Sequence, residues 1–267
     1  MSDFLYLIIF KFLGYRKKVV VTNLKNSFPD KTEKEIDKIT REYFHFFCDW
    51  ILEMVKAITI SKEESIKRCF LTDTKVLEDL AKQKKQIIYV MGHMGNFEYG
   101  GPDMEFNTPY HLNVIYKPQA NEYFNRLINK KRLRFGPSLI PMATVFREMV
   151  KMKNSPILNS TAFIADQTPS PNSAYWTTFL NQDTPIFWGT ETIAKKLNFP
   201  VVFLSTKRTK RGFYEMTPEL LCENPKDTSK GELSEMHTKR LEQDIIKQPE
   251  IWLGSHRRWK HKRPVED

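Results

Sequence analysis

The chain has 267 residues, of which 40% are hydrophobic and 13% aromatic, and this composition excludes an intrinsically disordered protein. It is long enough to bury one sizeable core or two small ones. The net charge of +10 favours an anionic partner, which could be nucleic acid, an anionic membrane surface or an acidic carrier protein. The three cysteines, Cys48, Cys69 and Cys222, show no CxxC or zinc spacing, which predicts free thiols in a reducing compartment.

The first 20 residues combine an apolar run with a basic cluster. The run over residues 4–13 is interrupted only by Lys11 and is too short for a bilayer, which needs about 20 apolar residues. It also lacks the basic start and the small-residue cleavage site of a signal peptide. Two interpretations stay open: a buried first helix, or a segment in a membrane interface whose basic residues at 16–18 face phosphates.

Residues 21–83 carry helical patterns. Thr32 with Glu35 forms a capping box before a stretch, extending to about Lys56, whose apolar residues have the spacing of a wide helical face. A second capping pattern and a further periodic stretch predict two shorter helices before residue 84. This part of the chain is therefore predicted to be a helical N-terminal section.

From residue 84 onward, short apolar runs alternate with helical patterns. This alternation predicts an α/β fold with a central, mostly parallel (mixed) sheet that is flanked by helices. We predict a single domain over residues 1–267, with a membrane-proximal segment 1–20, a helical section 21–83 and an α/β catalytic body 84–267 that ends in a basic tail. The predicted strands are 86–92, 112–116, 156–165, 199–206 and, at the sheet edge, 211–220; the predicted helices are 120–134, 142–153, 189–198 and 232–247.

The string MGHMGNFEYG, residues 91–100, directly follows the first predicted strand. Ligands in such sheets bind beyond the carboxyl ends of the strands. His93 and Glu98 are five positions apart, so they do not face each other within one helix. They can meet if His93 lies in the loop and Glu98 in the first turn of a helix that begins near Gly95. Glu98 would then hold one ring nitrogen of His93 and raise the basicity of the other, while the helix start would offer N–H groups to an anion.

The alternative interpretation is a polar pair that only closes a turn. A metal site is less favoured, because HExxH is absent and His111 and Asp103 have no diagnostic spacing. The chain also lacks a Gly-x-Ser-x-Gly elbow, a P-loop and a GxGxxG string, which argues against a serine hydrolase or a nucleotide-binding fold.

The string HMGNFE after an apolar strand resembles the first motif of the lysophospholipid acyltransferase superfamily. Together with five further strings, it is similar to the bacterial lipid A biosynthesis acyltransferases, the late enzymes that add secondary acyl chains. Members of that family usually carry another apolar segment before the stretch that matches residues 4–20. The further strings are GYRKKVVVTNLKNSFPDKTEKE near the N-terminus, RLRFG at 132–136, ADQTP at 165–169, FWGTETIAKKLNFPVV at 187–202 and PEIWLGSHRRWKHKRP at 249–264.

The resemblance implies an O-acyltransferase without a cofactor or metal. The donor would be an acyl thioester, typically acyl–acyl carrier protein, and the acceptor a hydroxyl of an anionic, membrane-embedded glycolipid. By this resemblance His93 is the general base and Glu98 orients it, and the hydroxyl attacks the thioester directly. The remaining site candidates, for substrate binding or for stabilising the thioester oxygen, are Arg132, Arg134, Asn96, Asp166 and Gln167.

The tail SHRRWKHKRP is predicted to be either a solvated basic end or an electrostatic membrane anchor, with Trp259 at the interface. The resemblance places the protein at the cytoplasmic face of a bacterial inner membrane. The alternatives are an acyltransferase for another glycolipid or aminolipid and an inactive membrane-associated homologue. A nucleic-acid-binding protein is disfavoured, because no nucleic-acid-binding motif accompanies the positive charge.

Overall fold

A computed structural model describes residues 1–264 of the chain. Thr32 starts the longest helix, where its side chain accepts from the Glu35 backbone N–H and the Glu35 carboxylate accepts from Thr32, so the predicted capping box is present. The α-helices, numbered in chain order, are α1 Ser2–Tyr6, α2 Lys17–Ser27, α3 Glu33–Lys56, α4 Lys62–Arg68, α5 Lys75–Lys82, α6 Gly101–Phe106, α7 Glu122–Leu133, α8 Val145–Met152, α9 Gly189–Leu197 and α10 Glu232–Lys247.

The strands form one large sheet and one hairpin. The large sheet has the order β1-β9-β8-β2-β5-β3-β4, and its neighbouring strands are parallel except for the antiparallel pair β8 and β9. Strands β6 and β7 pair with each other as an antiparallel hairpin. The strands are β1 Cys69–Leu71, β2 Ile87–Met91, β3 His111–Tyr116, β4 Ser138–Pro141, β5 Asn159–Ile164, β6 Ala174–Phe179, β7 Gln182–Phe187, β8 Val201–Lys210 and β9 Phe213–Cys222.

Strand β2 lies at the centre of the sheet and is buried along its whole length. Its side chains alternate between the two faces, as a strand requires. Ile87, Tyr89 and Met91 belong to the core that includes helix α3, whereas Ile88 and Val90 belong to a second core beneath α8 and α9. Helices therefore cover both faces of the sheet, which explains why the strand reads as a continuous apolar run.

The N-terminal segment packs partly onto helix α3. After α1 the chain continues as a π-helical turn, Leu7–Phe12. The Tyr6 ring stacks on His45, and the Phe10 ring packs at a tilt against Phe44. Phe4, Phe12 and Leu13 remain exposed. The segment thus has a buried side, as the first interpretation expected, and an exposed apolar side. Within residues 1–264, the helices all fall short of the length and apolar character that crossing a bilayer demands.

The predicted α/β class, with a mostly parallel sheet and a helical N-terminal section, is confirmed. One position was wrong: the strand predicted at the edge over 211–220 is β9, and the short strand β1 covers it. The β6–β7 hairpin and the short strands β1 and β4 were not predicted. The division of the chain into one domain stays a prediction.

Candidate active site

Two parallel strands bring the site together. Strands β2 and β5 are neighbours, and their last paired residues are Met91 and Ile164. The Ala165 N–H donates to the Met91 carbonyl at 3.1 Å and continues the pairing for one more residue. His93 and Asp166 each stand two positions beyond the paired residues, so they meet at the same edge of the sheet. This is the edge at which α/β sheets bind their ligands.

Asp166 holds His93 from two directions. Its Oδ1 lies 2.5 Å from Nδ1 of the imidazole, and its Oδ2 accepts the His93 backbone N–H at 3.0 Å. The indole N–H of Trp252 donates to the same Oδ2 at 2.9 Å. We assign the ring proton to Nδ1, because a carboxylate can only accept there. The lone pair of Nε2 then faces outward, where the exposed Gln167 amide nitrogen lies 3.3 Å away.

Asp166 is ionised although it is buried. Burial alone would raise its pKa, but the charge interaction and hydrogen bonds with His93, together with the bond from Trp252, outweigh burial and hold the pKa of Asp166 well below its usual range. A buried carboxylate of this kind fixes the tautomer of its histidine and stabilises the imidazolium that forms when Nε2 takes a proton.

The C-terminal segment fastens the loop that carries His93. The Leu253 N–H donates to the His93 carbonyl at 3.1 Å, and the Gly95 N–H donates to Ile251 at 3.0 Å. Gly95 has a φ of +57°, and a Cβ there would lie 2.7 Å from the Tyr214 ring, so a side chain is excluded on two counts. Backbone hydrogen bonds thus fix the position of the loop, and the Asp166 carboxylate fixes the orientation of the His93 ring.

The structure corrects the predicted partnership of His93 and Glu98. The chain forms a 3-10 turn, Phe97–Tyr99, before helix α6 begins at Gly101, so no helix starts near Gly95. Glu98 instead accepts from Lys131, and from Arg132 Nη2 at 2.5 Å. Its side chain is buried, and although burial opposes ionisation, these two cations lower the pKa of Glu98 to about 2. The orienting carboxylate of His93 is Asp166.

The other predicted residues occupy different positions around the site. Arg132 lies in the ion cluster with Glu98, whereas the exposed Arg134 points away and donates to the Ile58 carbonyl at 3.0 Å. Asn96 is fully buried and donates to Glu53 Oε2 at 2.8 Å, so it ties the loop that carries His93 to helix α3. Gln167 lies beside His93, as described above.

An apolar cavity adjoins the histidine. The ring of Phe97 packs edge-on against His93, with 5.1 Å between the centroids, and Phe97 is also part of the cavity wall. The ion cluster of Glu98, Lys131 and Arg132 lies in the same wall. The empty space amounts to about 810 Å³, including the part open to solvent. The apolar wall is formed by residues from β2, β3, β5 and α6 and from the turn after α3, among them Ala57, Met91, Met104, Leu112, Val114, Ala162 and Ile164.

This arrangement can support proton transfer next to an apolar group bound in the cavity. The histidine has an oriented ring, an outward lone pair and a buried anion behind it, which are the requirements of a general base. The sequence predicts Asp166 as a site residue but not its bond to His93, and it does not predict Lys131 or Trp252. The equal offsets of His93 and Asp166 from two predicted strand ends were a signal that could have paired them.

Comparison with known proteins gives the family. A sequence search found no matching curated protein. The family model described as bacterial lipid A biosynthesis acyltransferase matches residues 2–261, which is nearly the whole chain and includes every residue of the site. The resemblance expected from the sequence is thereby confirmed, and with it an acyltransferase activity. The chain belongs to the bacterial lipid A biosynthesis acyltransferase family.

Proposed function

We propose that this acyltransferase moves a fatty acyl chain from acyl–acyl carrier protein to a hydroxyl of a lipid A precursor or a related membrane lipid, with His93 as the general base. The observation that carries the proposal is the His93–Asp166 pair beside an apolar cavity. The bond to Asp166 leaves Nε2 of His93 as the proton acceptor. The cavity offers a place for the acyl chain, whose burial there removes apolar surface from water.

In the proposed reaction the acceptor hydroxyl displaces the Gln167 amide from Nε2 of His93. Its oxygen attacks the thioester carbonyl carbon while its proton passes to Nε2. The tetrahedral species then collapses, the carbon–sulfur bond breaks, and the imidazolium returns the proton to the leaving thiolate. Asp166 stabilises the imidazolium between these steps. The ester forms without an acyl-enzyme, and every proton is returned.

The ion cluster supplies positive charge to the same cavity. Lys131 and Arg132 together outweigh the single charge of Glu98, so the cluster is cationic. Arg132 uses Nε and Nη2 for Glu98, which leaves Nη1 of its guanidinium for an oxygen of the substrate. We place the thioester oxygen or a phosphate of the glycolipid at this guanidinium. In this role Glu98 orients Arg132 and does not act on His93.

The surface that meets the membrane is proposed to include helix α7. Tyr123 is 80% exposed and Phe124 52% exposed, and Arg126 lies over the Tyr123 ring at 4.9 Å. Together with Lys130, these residues form an outer face with exposed aromatic and basic groups, as in helices that lie in a membrane interface. The other side of the same helix carries Arg132 into the cavity wall. A lipid bound at α7 would therefore lie next to the site, at the cytoplasmic face of an inner membrane.

The experiment measures thioester consumption and product formation by the purified protein. The substrates are acyl–acyl carrier protein and a tetra- or penta-acylated lipid A precursor, and His93→Ala is tested alongside. We expect acylated product with the wild type and none with His93→Ala. Donor hydrolysis that needs His93, without acylated product, would indicate another glycolipid or aminolipid as acceptor. Equal transfer by both proteins would refute His93 as the base, and neither hydrolysis nor transfer would favour an inactive homologue.

A further inference from the structure

The C-terminal string HRRW places one of its arginines inside the protein. Arg258 is 1% exposed and is among the largest fully buried side chains. Its Nη2 donates to the Pro185 carbonyl at 2.7 Å, and its guanidinium lies 6.0 Å from the Phe179 ring centroid. Among residues 1–264, nothing accepts a hydrogen bond from its Nε or Nη1. The expectation that this basic segment is only a solvated tail or a membrane anchor is therefore wrong for Arg258.

Arg258 lines a small interior cavity together with Asp166. His237 and Thr238 of helix α10 line the same cavity, and within the described residues the His237 Nε2 and the Thr238 Oγ1 also lack hydrogen-bond partners. Burial lowers the pKa of His237 to about 4, so this histidine is neutral near pH 7. The charged residues in the wall of this cavity are Arg258 and Asp166.

A buried cation without a compensating anion is costly, often by several kcal/mol. Burial lowers the pKa of Arg258 to about 10, and the negative charge of Asp166 opposes that decrease. At neutral pH Arg258 therefore stays charged, and Asp166 is the carboxylate that compensates it. Asp166 also binds Nδ1 of His93. The charge of the Arg258 guanidinium therefore acts on the His93 imidazole through the Asp166 carboxylate.

We propose that Arg258 is a positioning residue that acts on His93 through Asp166, by offsetting part of the carboxylate charge across the interior cavity, and that it does not bind substrate. The inference rests on the proposed role of His93 as the general base. Its direction follows from electrostatics: a positive charge behind Asp166 makes the imidazolium less favourable.

Other titratable groups near Asp166 do not give the same effect. His256 shares a hydrogen bond with Thr168, 3.1 Å from Nε2 to Oγ1, and lies close enough to interact electrostatically with Asp166, His93 and Arg258. Burial, then the charge of Arg258, lowers the pKa of His256, so it is largely neutral near pH 7. Lys260 is exposed and acts on His256 through solvent. The fixed charge behind the carboxylate is therefore Arg258.

The first experiment follows the titration of the six histidines by NMR, on isotope-labelled protein without substrate, with His93 assigned from the His93→Ala spectrum. The variant is Arg258→Gln, and the matched control is Arg257→Gln, because Arg257 is the adjacent arginine and is exposed. We expect the His93 midpoint to move upward by roughly half a unit to one pH unit in Arg258→Gln and to stay in place in Arg257→Gln. Folding of each variant is checked by circular dichroism.

A folded Arg258→Gln protein with an unchanged His93 midpoint would overturn the proposal. Arg258 would then have only a structural role, through its hydrogen bond to Pro185. The second measurement needs no Arg258 variant and decides the question if that variant does not fold. In the wild type, the Arg258 Nε–H resonance should shift with an inflection at the His93 midpoint, and this inflection should disappear in His93→Ala. No inflection in the wild type would refute the coupling. Both readouts are independent of acyl transfer, so they stand even if the proposed reaction fails.

Discussion

Asp166 Oδ1 lies 2.5 Å from His93 Nδ1, although the two residues are 73 positions apart. Neighbouring parallel strands end in register just before both residues, which makes their approach a property of the sheet. The carboxylate nearer in sequence, Glu98, is neutralised by Lys131 and Arg132. The two carboxylates of the site thus have different tasks, and substitutions can separate them.

Asp166→Asn should lower kcat by about 10²- to 10⁴-fold, because the amide no longer stabilises the imidazolium or fixes the ring proton on Nδ1. Steady-state kinetics of acyl transfer give the measurement. Glu98→Gln serves as the comparison, and it should lower kcat less than Asp166→Asn does, because Glu98 contacts Arg132 and not His93. If Glu98→Gln had the larger effect on kcat and Asp166→Asn almost none, the assignment of the two carboxylates would be reversed.

Glu98→Gln should also change how stability depends on pH. The folded-state pKa of Glu98 is lowered to about 2 from an ordinary value of 4.5, so its contribution is fully present above pH 4.5 and is lost as the pH falls toward 2. Above pH 4.5 the substitution should lower the free energy of unfolding by about 3–5 kcal/mol, because Lys131 and Arg132 lose their anion in a buried place.

Urea unfolding of the wild type and of Glu98→Gln, at several pH values, tests that statement. The gap between the two free energies should narrow steadily between pH 4.5 and the lowest pH at which both proteins fold. Glu64→Gln is a suitable control, because the Glu64 side chain is more exposed than that of Glu98 and solvent weakens its ion pair with Arg68. A gap that does not depend on pH would refute the electrostatic explanation.

Ala162→Leu should shorten the acyl chain that the enzyme prefers. Ala162 lies on β5 in the cavity wall, and a larger side chain there takes space from the proposed acyl site. Each methylene that can no longer be buried costs about 0.8 kcal/mol, which is roughly a four-fold loss of kcat/KM. A series of donors with different chain lengths gives the measurement, and the shortest donors serve as internal controls. The same loss for all lengths would indicate misfolding or a chain bound elsewhere.

Replacing Tyr123 and Phe124 together by serine should weaken binding to anionic lipid vesicles by about ten-fold or more, because two large apolar side chains no longer enter the interface. Vesicle co-sedimentation at low and high salt gives the measurement. Phe146→Ser is the matched control, because Phe146 is an exposed aromatic residue on helix α8. That helix packs, through Met149, on the face of the sheet that does not carry the cavity. If removal of residues 1–13 abolishes binding and the α7 variant does not, the membrane surface is the N-terminal segment.

Local sequence patterns were enough to identify the main helices and strands and much of the chemistry. Helical spacing and a capping box identified α3, and short apolar runs identified the central strands, because burial on both faces leaves a continuous apolar signal. The sequence also marked His93 as the first polar group after the central strand. The short strand β1, by contrast, has only three residues, and the β6–β7 hairpin has partly exposed strands, so neither leaves a strong apolar pattern.

Which side chains meet depends on how the whole chain folds. The partner of His93 depends on which strand lies next to β2, and β5 takes that place from a distant part of the chain. The same holds for Trp252, whose indole reaches Asp166, and for Arg258, which the sequence presents as part of a basic tail and the fold buries. Helices and strands can be predicted from residue spacing because their periodicity is local. Sheet order and burial are properties of the whole chain, and they determine which charged side chains lie close enough to compensate each other.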